Sequence, residues 1–260
     1  MDGSIYGIIN RKGKMHLTEN CLDVHGLRQS DNHVSYVEVV LFPLNGKWWL
    51  SPKEYPEEWE FSYSTYCAPG WFQKKKYEEE YRKKACHCWK RHVLYRKDIA
   101  RLSHGDFLVK DCHIGEISGN THFLCCDSYV QLITDNAAAH IVKGHSYIDI
   151  QKGNSRIEKL TDQSFVHTMQ EQASIKEMEQ SSTVESMVDC TSVETLRGHS
   201  RIYRMADKAS VGSMYHPAVI YTMRGESAVN DTECFSHILS APEKIKVTSS
   251  CQMEPAMPFD

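Results

Sequence analysis

Cysteine and histidine fall together at Cys86-His87-Cys88, at Cys112-His113 and at Cys125-Cys126. Thiolates and imidazoles are favoured zinc ligands, and a structural site needs four of them in a tetrahedron. The spacing argues against such a site. None of the clusters is C-x₂-C, and C-x-C on a helix turns its two thiols to different faces. Small buried thiols are the plainer reading. Cys126-Asp127 with His113 or His122 has the residue types of Cys–His nucleophilic chemistry. In a chain with ten Cys and fourteen His such neighbours arise by chance, and no local signature frames these. There is no Walker A loop, no G-x-G-x-x-G and no H-E-x-x-H. The expectation is a chain that is not an enzyme, with no metal and no cofactor.

A different chemistry is offered by Lys74-Lys75-Lys76 and Arg82-Lys83-Lys84, near Trp71 and Trp89. Clustered cations of this kind can neutralise phosphates. Most such runs are solvated helix faces, and the net charge of −4 argues against a general nucleic-acid binder. The charge is uneven. Residues 1–127 hold 17 acidic and 18 basic residues, and residues 128–260 hold 17 and 12. No apolar run approaches the roughly 18 residues of a membrane span. The N-terminus MDGSIYGIINRKGK has no h-region of a signal peptide. A cytoplasmic protein with reduced thiols is expected.

The elements that position these residues differ between the two parts of the chain. Ile5–Asn10 and Lys14–Thr18 read as short strands around Arg11-Lys12-Gly13. Val34–Phe42 reads as a longer strand, which Asn45-Gly46 is expected to turn into Lys47–Leu50 as a hairpin. From Trp71 to Tyr95 the pattern is helical. Glu78–Arg82, Glu79–Lys83 and Glu80–Lys84 are acid-before-base pairs at i,i+4, and Phe72, Tyr77, Tyr81, Ala85, Cys88, Trp89 and His92 form the expected buried stripe.

From Ser128 to Phe235 the chain divides without insertion into twelve nine-residue repeats, beginning SYVQLITDN, AAAHIVKGH, SYIDIQKGN. Position 1 is Ser, Ala or Thr throughout. Position 3 is Val or Ile except at Ala139, and position 6 is apolar except at Gln151 and Thr232. On a strand, positions 1 and 3 share a side. Position 3 supplies a β-branched core residue, and position 6 an apolar filler beyond a bend. Positions 7–9 are turn residues, as in Lys143-Gly144-His145. A helix does not fit, because nine residues at 100° each leave successive repeats half a turn out of register.

A second period of 18 appears at position 2. One series reads Tyr129, Tyr147, Phe165, Thr183, Arg201, Val219, and the other Ala138, Arg156, Ser174, Ser192, Ser210, Ala228. The expected fold is therefore mainly β: a β-solenoid of about six 18-residue coils, two nonapeptides each, behind an N-terminal α+β capping domain. A three-sided coil of 27 residues is the alternative. The expected domains are 1–118, with a helix near 71–95; 119–235, the solenoid; and 236–260, a C-terminal cap and mobile tail. Asp106–Ile117 is expected to form a first irregular coil, and Gly119, Thr121 and Leu124 to take repeat positions 1, 3 and 6. Tyr129, Tyr147 and Phe165 are expected to form an outward ladder. That ladder serves as a contact surface, as stacking between coils, or as a bed for the N-terminal domain. The repeat lacks the Gly-Gly and fixed Asp of the calcium-binding β-roll, so calcium is not expected.

The S/A-x-V/I-x-x-M/L pattern over about 128–235 resembles nonapeptide-repeat β-solenoid arrays of bacterial, prophage and phage proteins. The resemblance implies the fold and supplies no catalytic residues to carry over. It admits a phage or mobile-element inhibitor of a bacterial defence complex, such as a CRISPR effector. The function expected is a non-enzymatic protein-interaction module. Its candidate binding residues are Tyr129, Tyr147 and Phe165 with Lys74, Lys75, Lys76, Lys83 and Lys84. The alternatives are a structural assembly component of a phage or cell surface, with homo-oligomers, and a nucleic-acid binder using the basic helix.

Overall fold

The computed structural model describes residues 3–17, 36–64, 69–233, 237–240 and 247–249. The chain forms two compact units, Met1–Tyr95 with Asp106–Leu108, and the rest.

In the N-terminal unit, β1 (Ile5–Asn10), β2 (Met15–Leu17), β3 (Tyr36–Pro43) and β4 (Trp59–Tyr63) form an antiparallel sheet in the order β2-β1-β3-β4. The β1–β2 turn closes as expected: Gly13 N donates to Asn10 O, and Asn10 Oδ1 accepts from the amides of Lys12 and Lys14. Thr18, at the end of the second expected strand, and Val34, at the start of the third, lie outside the described residues. Alternation along β1 buries Ile5 and Ile9 against Val39, Leu41 and Phe61. The helix α1 (Lys74–His92) lays Tyr77, Tyr81 and Ala85 on the same core. Tyr81 is fully buried and donates its hydroxyl to Ile5 O at 2.9 Å, which satisfies its one polar group. Gly7 permits this approach, because a Cβ there would lie 2.8 Å from the Tyr81 ring and 2.7 Å from His16 O.

Two local expectations are corrected. The partner of β3 is Trp59–Tyr63, and Lys47–Leu50 is no strand. Asn45 and Gly46 do adopt left-handed backbone, but they close a single 3₁₀ turn in which Lys47 N bonds Leu44 O. Trp48 is then buried, and Trp59 Nε1 donates to Leu50 O at 2.9 Å, so indole packing outweighs the hairpin signal. The helix is shorter than 71–95: it starts at Lys74 and gives way to a strand, β5 (Val93–Tyr95). Glu78–Arg82 and Glu79–Lys83 pair at 3.0 and 2.8 Å, whereas Lys84 reaches Met15 O. In the stripe Cys86 is buried, while Cys88 and His92 are half-buried.

The second unit is a parallel β-solenoid of about eight turns. Its coils stack in register at a spacing of 18: Tyr147 pairs with Tyr129 and Phe165 on one face, and Arg156 with Ala138 and Ser174 on the other. At the ~4.8 Å strand spacing, eight turns span about 38 Å. Positions 1, 3 and 6 are buried in all twelve repeats, including the two exceptions, Gln151 and Thr232. Pairing runs through positions 2, 3, 5 and 6 and skips position 4, as in Tyr147↔Phe165, Ile148↔Val166, Ile150↔Thr168 and Gln151↔Met169. The skipped residue is the bend that returns position 6 to the core.

The turns explain the rest of the repeat. Position 8 is left-handed at Asp135, Gly144, Gly153, Asp162, Glu171, Gln180, Asp189, Gly198, Asp207 and Gly225. At His216 the turn instead uses a cis peptide to Pro217. The hydroxyl at position 1 ties the turn shut: Ser146, Ser155, Ser164 and Ser200 each donate to the carbonyl three residues earlier at 2.6–2.7 Å. Position 1 is therefore small because it is buried, and commonly Ser or Thr because it closes a turn.

The ladder runs past both ends of the repeats. Upstream, β6 (Asp98–Lys110) and β7 (His113–Cys126) precede it, and β7 pairs at a spacing of 16, His113 with Tyr129 and His122 with Ala138. That register makes Thr121 and Phe123 the equivalents of positions 1 and 3. It corrects the assignment of Gly119 to position 1; Gly119 is a left-handed turn residue. Two missing residues per coil moved the frame. Downstream, His237–Ser240 and Val247–Ser249 pair with Val219–Met223 and Ala228–Thr232. Residues 237–249 therefore prolong the ladder where a departure from it was expected.

Candidate interaction surface

The expected aromatic ladder forms on the first face of the solenoid. Tyr129 and Tyr147 stack at 5.5 Å with an interplanar angle of 9°, and Tyr147 and Phe165 at 5.1 Å and 16°. The ladder extends one coil further than expected, because His113 stacks on Tyr129 at 4.8 Å. The 16-residue spacing of that coil hides His113 from an 18-residue period. In-register parallel pairing at position 2 produces this arrangement. Each ring covers its neighbour's face, so the ladder offers ring edges and tyrosine hydroxyls outward. Bases or sugars could not lie flat on its interior rings. Leu132 and Ile150, paired with each other at position 5, are half-buried beside the ladder and widen the apolar strip. Their signal was present as apolar residues at an outward position.

The first face changes character along its length. After Phe165 the position-2 column continues as Thr183, Arg201 and Val219. His167 Nδ1 and Arg204 Nη2 both contact Glu185, at 3.0 and 3.1 Å. Beyond them Tyr203 and Tyr221 stack at 4.7 Å. This second aromatic pair sits at position 4, 18 residues apart, and went unnoticed because attention fell on position 2.

The second face is built differently. Its outward column is small at Ser174, Ser192 and Ser210. Ion pairs bridge its coils: Lys159 with Glu177 and Glu179, and Arg197 with the same two acids. Burial alone would raise the Glu179 carboxyl, but hydrogen bonds from Lys159, Arg197 and Thr161 hold it below the usual range.

The remaining candidates occupy other places. Lys74, Lys75 and Lys76 are exposed on the first turn of α1, and Lys83 and Lys84 on its third. These lysines belong to the N-terminal unit. Cys112, Cys125 and Cys126 are buried free thiols, and Cys86 is a fourth. Cys88 is disulfide-bonded, so the expectation of reduced thiols does not hold there. Among the described residues no three His, Cys, Asp or Glu side chains converge as a metal site would require.

The Cys126 thiol is pushed up to about 11 by burial and by the Asp127 carboxylate beside it. Burial pushes Cys125 up to about 12. A nucleophilic cysteine needs the opposite shift. Asp127 instead acts as a coil-to-coil clamp. It accepts from Lys110 Nζ at 2.7 Å, from Cys126 Sγ at 3.3 Å and from His145 N at 2.9 Å. Burial opposes ionisation of Asp127, but these bonds outweigh it and lower its pKa to about 2.

No helix among the described residues is long and apolar enough to cross a membrane. No family model, no curated protein and no solved structure matches the chain. The fold and site define a β-solenoid protein with two unlike faces and a separate N-terminal α+β unit.

Proposed function

We propose that the protein is a non-enzymatic interaction module that binds a protein partner through the first face of its solenoid. One observation carries this reading. Tyr129, Tyr147 and Phe165, with Leu132 and Ile150, form an outward apolar strip on a rigid in-register sheet. Edge-on rings with hydroxyl tips suit the packed, partly polar centre of a protein interface. The raised thiol pKa values at Cys125 and Cys126 support a non-catalytic role. The reading places the protein in the cytoplasm, where the free thiols of five described cysteines would persist.

The resemblance of the repeat to phage and prophage arrays makes a bacterial defence complex the partner class to test first, with a CRISPR effector as the leading case. The experiment compares the wild-type chain with Tyr147→Arg/Ile150→Arg in capture of purified effector complexes. Retention in stoichiometric amount by the wild type, lost in the double variant with its unfolding midpoint within a few degrees, is the expected result. Equal retention by both chains, or by neither, overturns the reading.

A further inference from the structure

The outer side of α1 lies between two open grooves of the N-terminal unit. One, of about 540 Å³, is lined by Lys53, Arg82 and Lys90 with Pro52, Pro56 and the Cys86 side chain. The other, of about 500 Å³, is lined by Lys84, Arg91 and His92 with Met15 and Leu17. Lys83 and His87 border both, so they form the ridge between them. Glu79 is the one carboxylate on either lining. The whole helix carries eight Lys and Arg against three Glu, a net of +5.

Those three acids are committed unevenly. Glu78 holds Arg82 and Glu79 holds Lys83. Lys53 and Lys90 make no ion pair or side-chain hydrogen bond among the described residues. The cations at Lys83, His87, Lys90 and Arg91 fall on successive helix turns, about 5.4 Å apart. A single small anion needs convergent donors in an enclosed pocket. This array is open, linear and repeated, which matches a chain of phosphates. No aromatic ring lines either groove, so base stacking contributes nothing there.

We propose that the Lys53–Lys83–Lys90 side of α1 and its twin grooves bind the phosphate backbone of a single-stranded nucleic acid, without sequence preference. This is a second binding site, independent of the solenoid face. It moves the expected contact from Lys74–Lys76, which line neither groove, to the later turns of the helix.

The test is fluorescence anisotropy of a labelled thymidine 20-mer with the full chain at 50 and 200 mM NaCl. With about five phosphates neutralised, affinity should fall roughly 100-fold over that range, from a slope of about −0.7 per contact. Lys53→Glu/Lys90→Glu should weaken binding at 50 mM by about tenfold or more, with circular dichroism and unfolding midpoint unchanged. Tyr147→Arg/Ile150→Arg should bind the oligonucleotide as the wild type does, which separates failure here from failure of the solenoid reading. Absence of binding at 50 mM overturns the proposal, as does binding unaltered in the Lys53→Glu/Lys90→Glu chain. Capture of vesicles containing phosphatidylserine, without capture of the 20-mer, also overturns it and assigns the strip to a membrane surface.

Discussion

The two faces of the solenoid share one core and differ in almost everything outward. On both, positions 1, 3 and 6 are buried, and the coils pair in the same parallel register. The first face stacks His113, Tyr129, Tyr147 and Phe165 in contact. The second joins Lys159, Glu177, Glu179 and Arg197 in an ion-pair lattice. A repeat of this kind separates two tasks. The inward positions specify the coil, and the outward ones are free to become a surface. Stacked rings on one side and charges on the other are two ways to bridge neighbouring coils, and only the first leaves an apolar strip facing out.

The comparison can be broken most severely in the core. Ile148→Ala on the first face and Ile157→Ala on the second remove equivalent fully buried side chains. Each should cost about 2–4 kcal/mol in urea unfolding, because a cavity remains at either site. A difference between them above about 1.5 kcal/mol would mean that the faces do not share one core after all.

Next in size is the ladder itself. Tyr147→Ala loses two ring stacks and should cost about 1–3 kcal/mol, whereas Ser192→Ala at the matching position of the second face should cost less than about 0.5. Equal losses in thermal unfolding would show that the stack adds nothing beyond strand pairing.

Acid should act on the coil junction at Asp127. Its pKa is lowered in the fold to about 2, so its contribution is complete above the unfolded value near 4 and is lost as pH falls through that window. Discounted for solvent screening, the effect is about 1 kcal/mol. Asp127→Asn should flatten the pH dependence of the unfolding midpoint between pH 4 and 2. A slope unchanged in the variant would remove Asp127 from the account.

The smallest effect is expected on the charged lattice. Arg197→Met should cost about 0.2–1 kcal/mol at 50 mM salt and less at 1 M, since exposed pairs are screened. Tyr147→Ala should show no such salt dependence. If both variants respond alike to salt, the distinction between a stacked and a charged face fails.

Much of this was legible because a solenoid repeats its environment. Each Val or Ile at position 3 meets the same neighbours in every coil, so one local rule recurs twelve times. The 18-residue period and the Tyr129–Tyr147–Phe165 column follow from that rule. His113 did not, because its coil is shorter by two residues and shifts the frame. The N-terminal unit has no repetition to average over. There Asn45-Gly46 signalled a hairpin, and the burial of Trp48 and the Trp59–Leu50 hydrogen bond decided otherwise.

The sequence by itself determined the coil: a small residue, a β-branched residue and an apolar residue at fixed offsets, with turn formers between, admit one periodic backbone. It also determined the order of residues along each face, because register follows from an unbroken period. Only the tertiary structure decided where the ladder begins and ends, since strand pairing reaches past the repeats into coils of other lengths. It alone decided that the rings stack face over face, and that Lys53, 30 residues before Lys83, shares a groove with it. Periodicity records what recurs along the chain; contacts between residues with no shared period are made by packing.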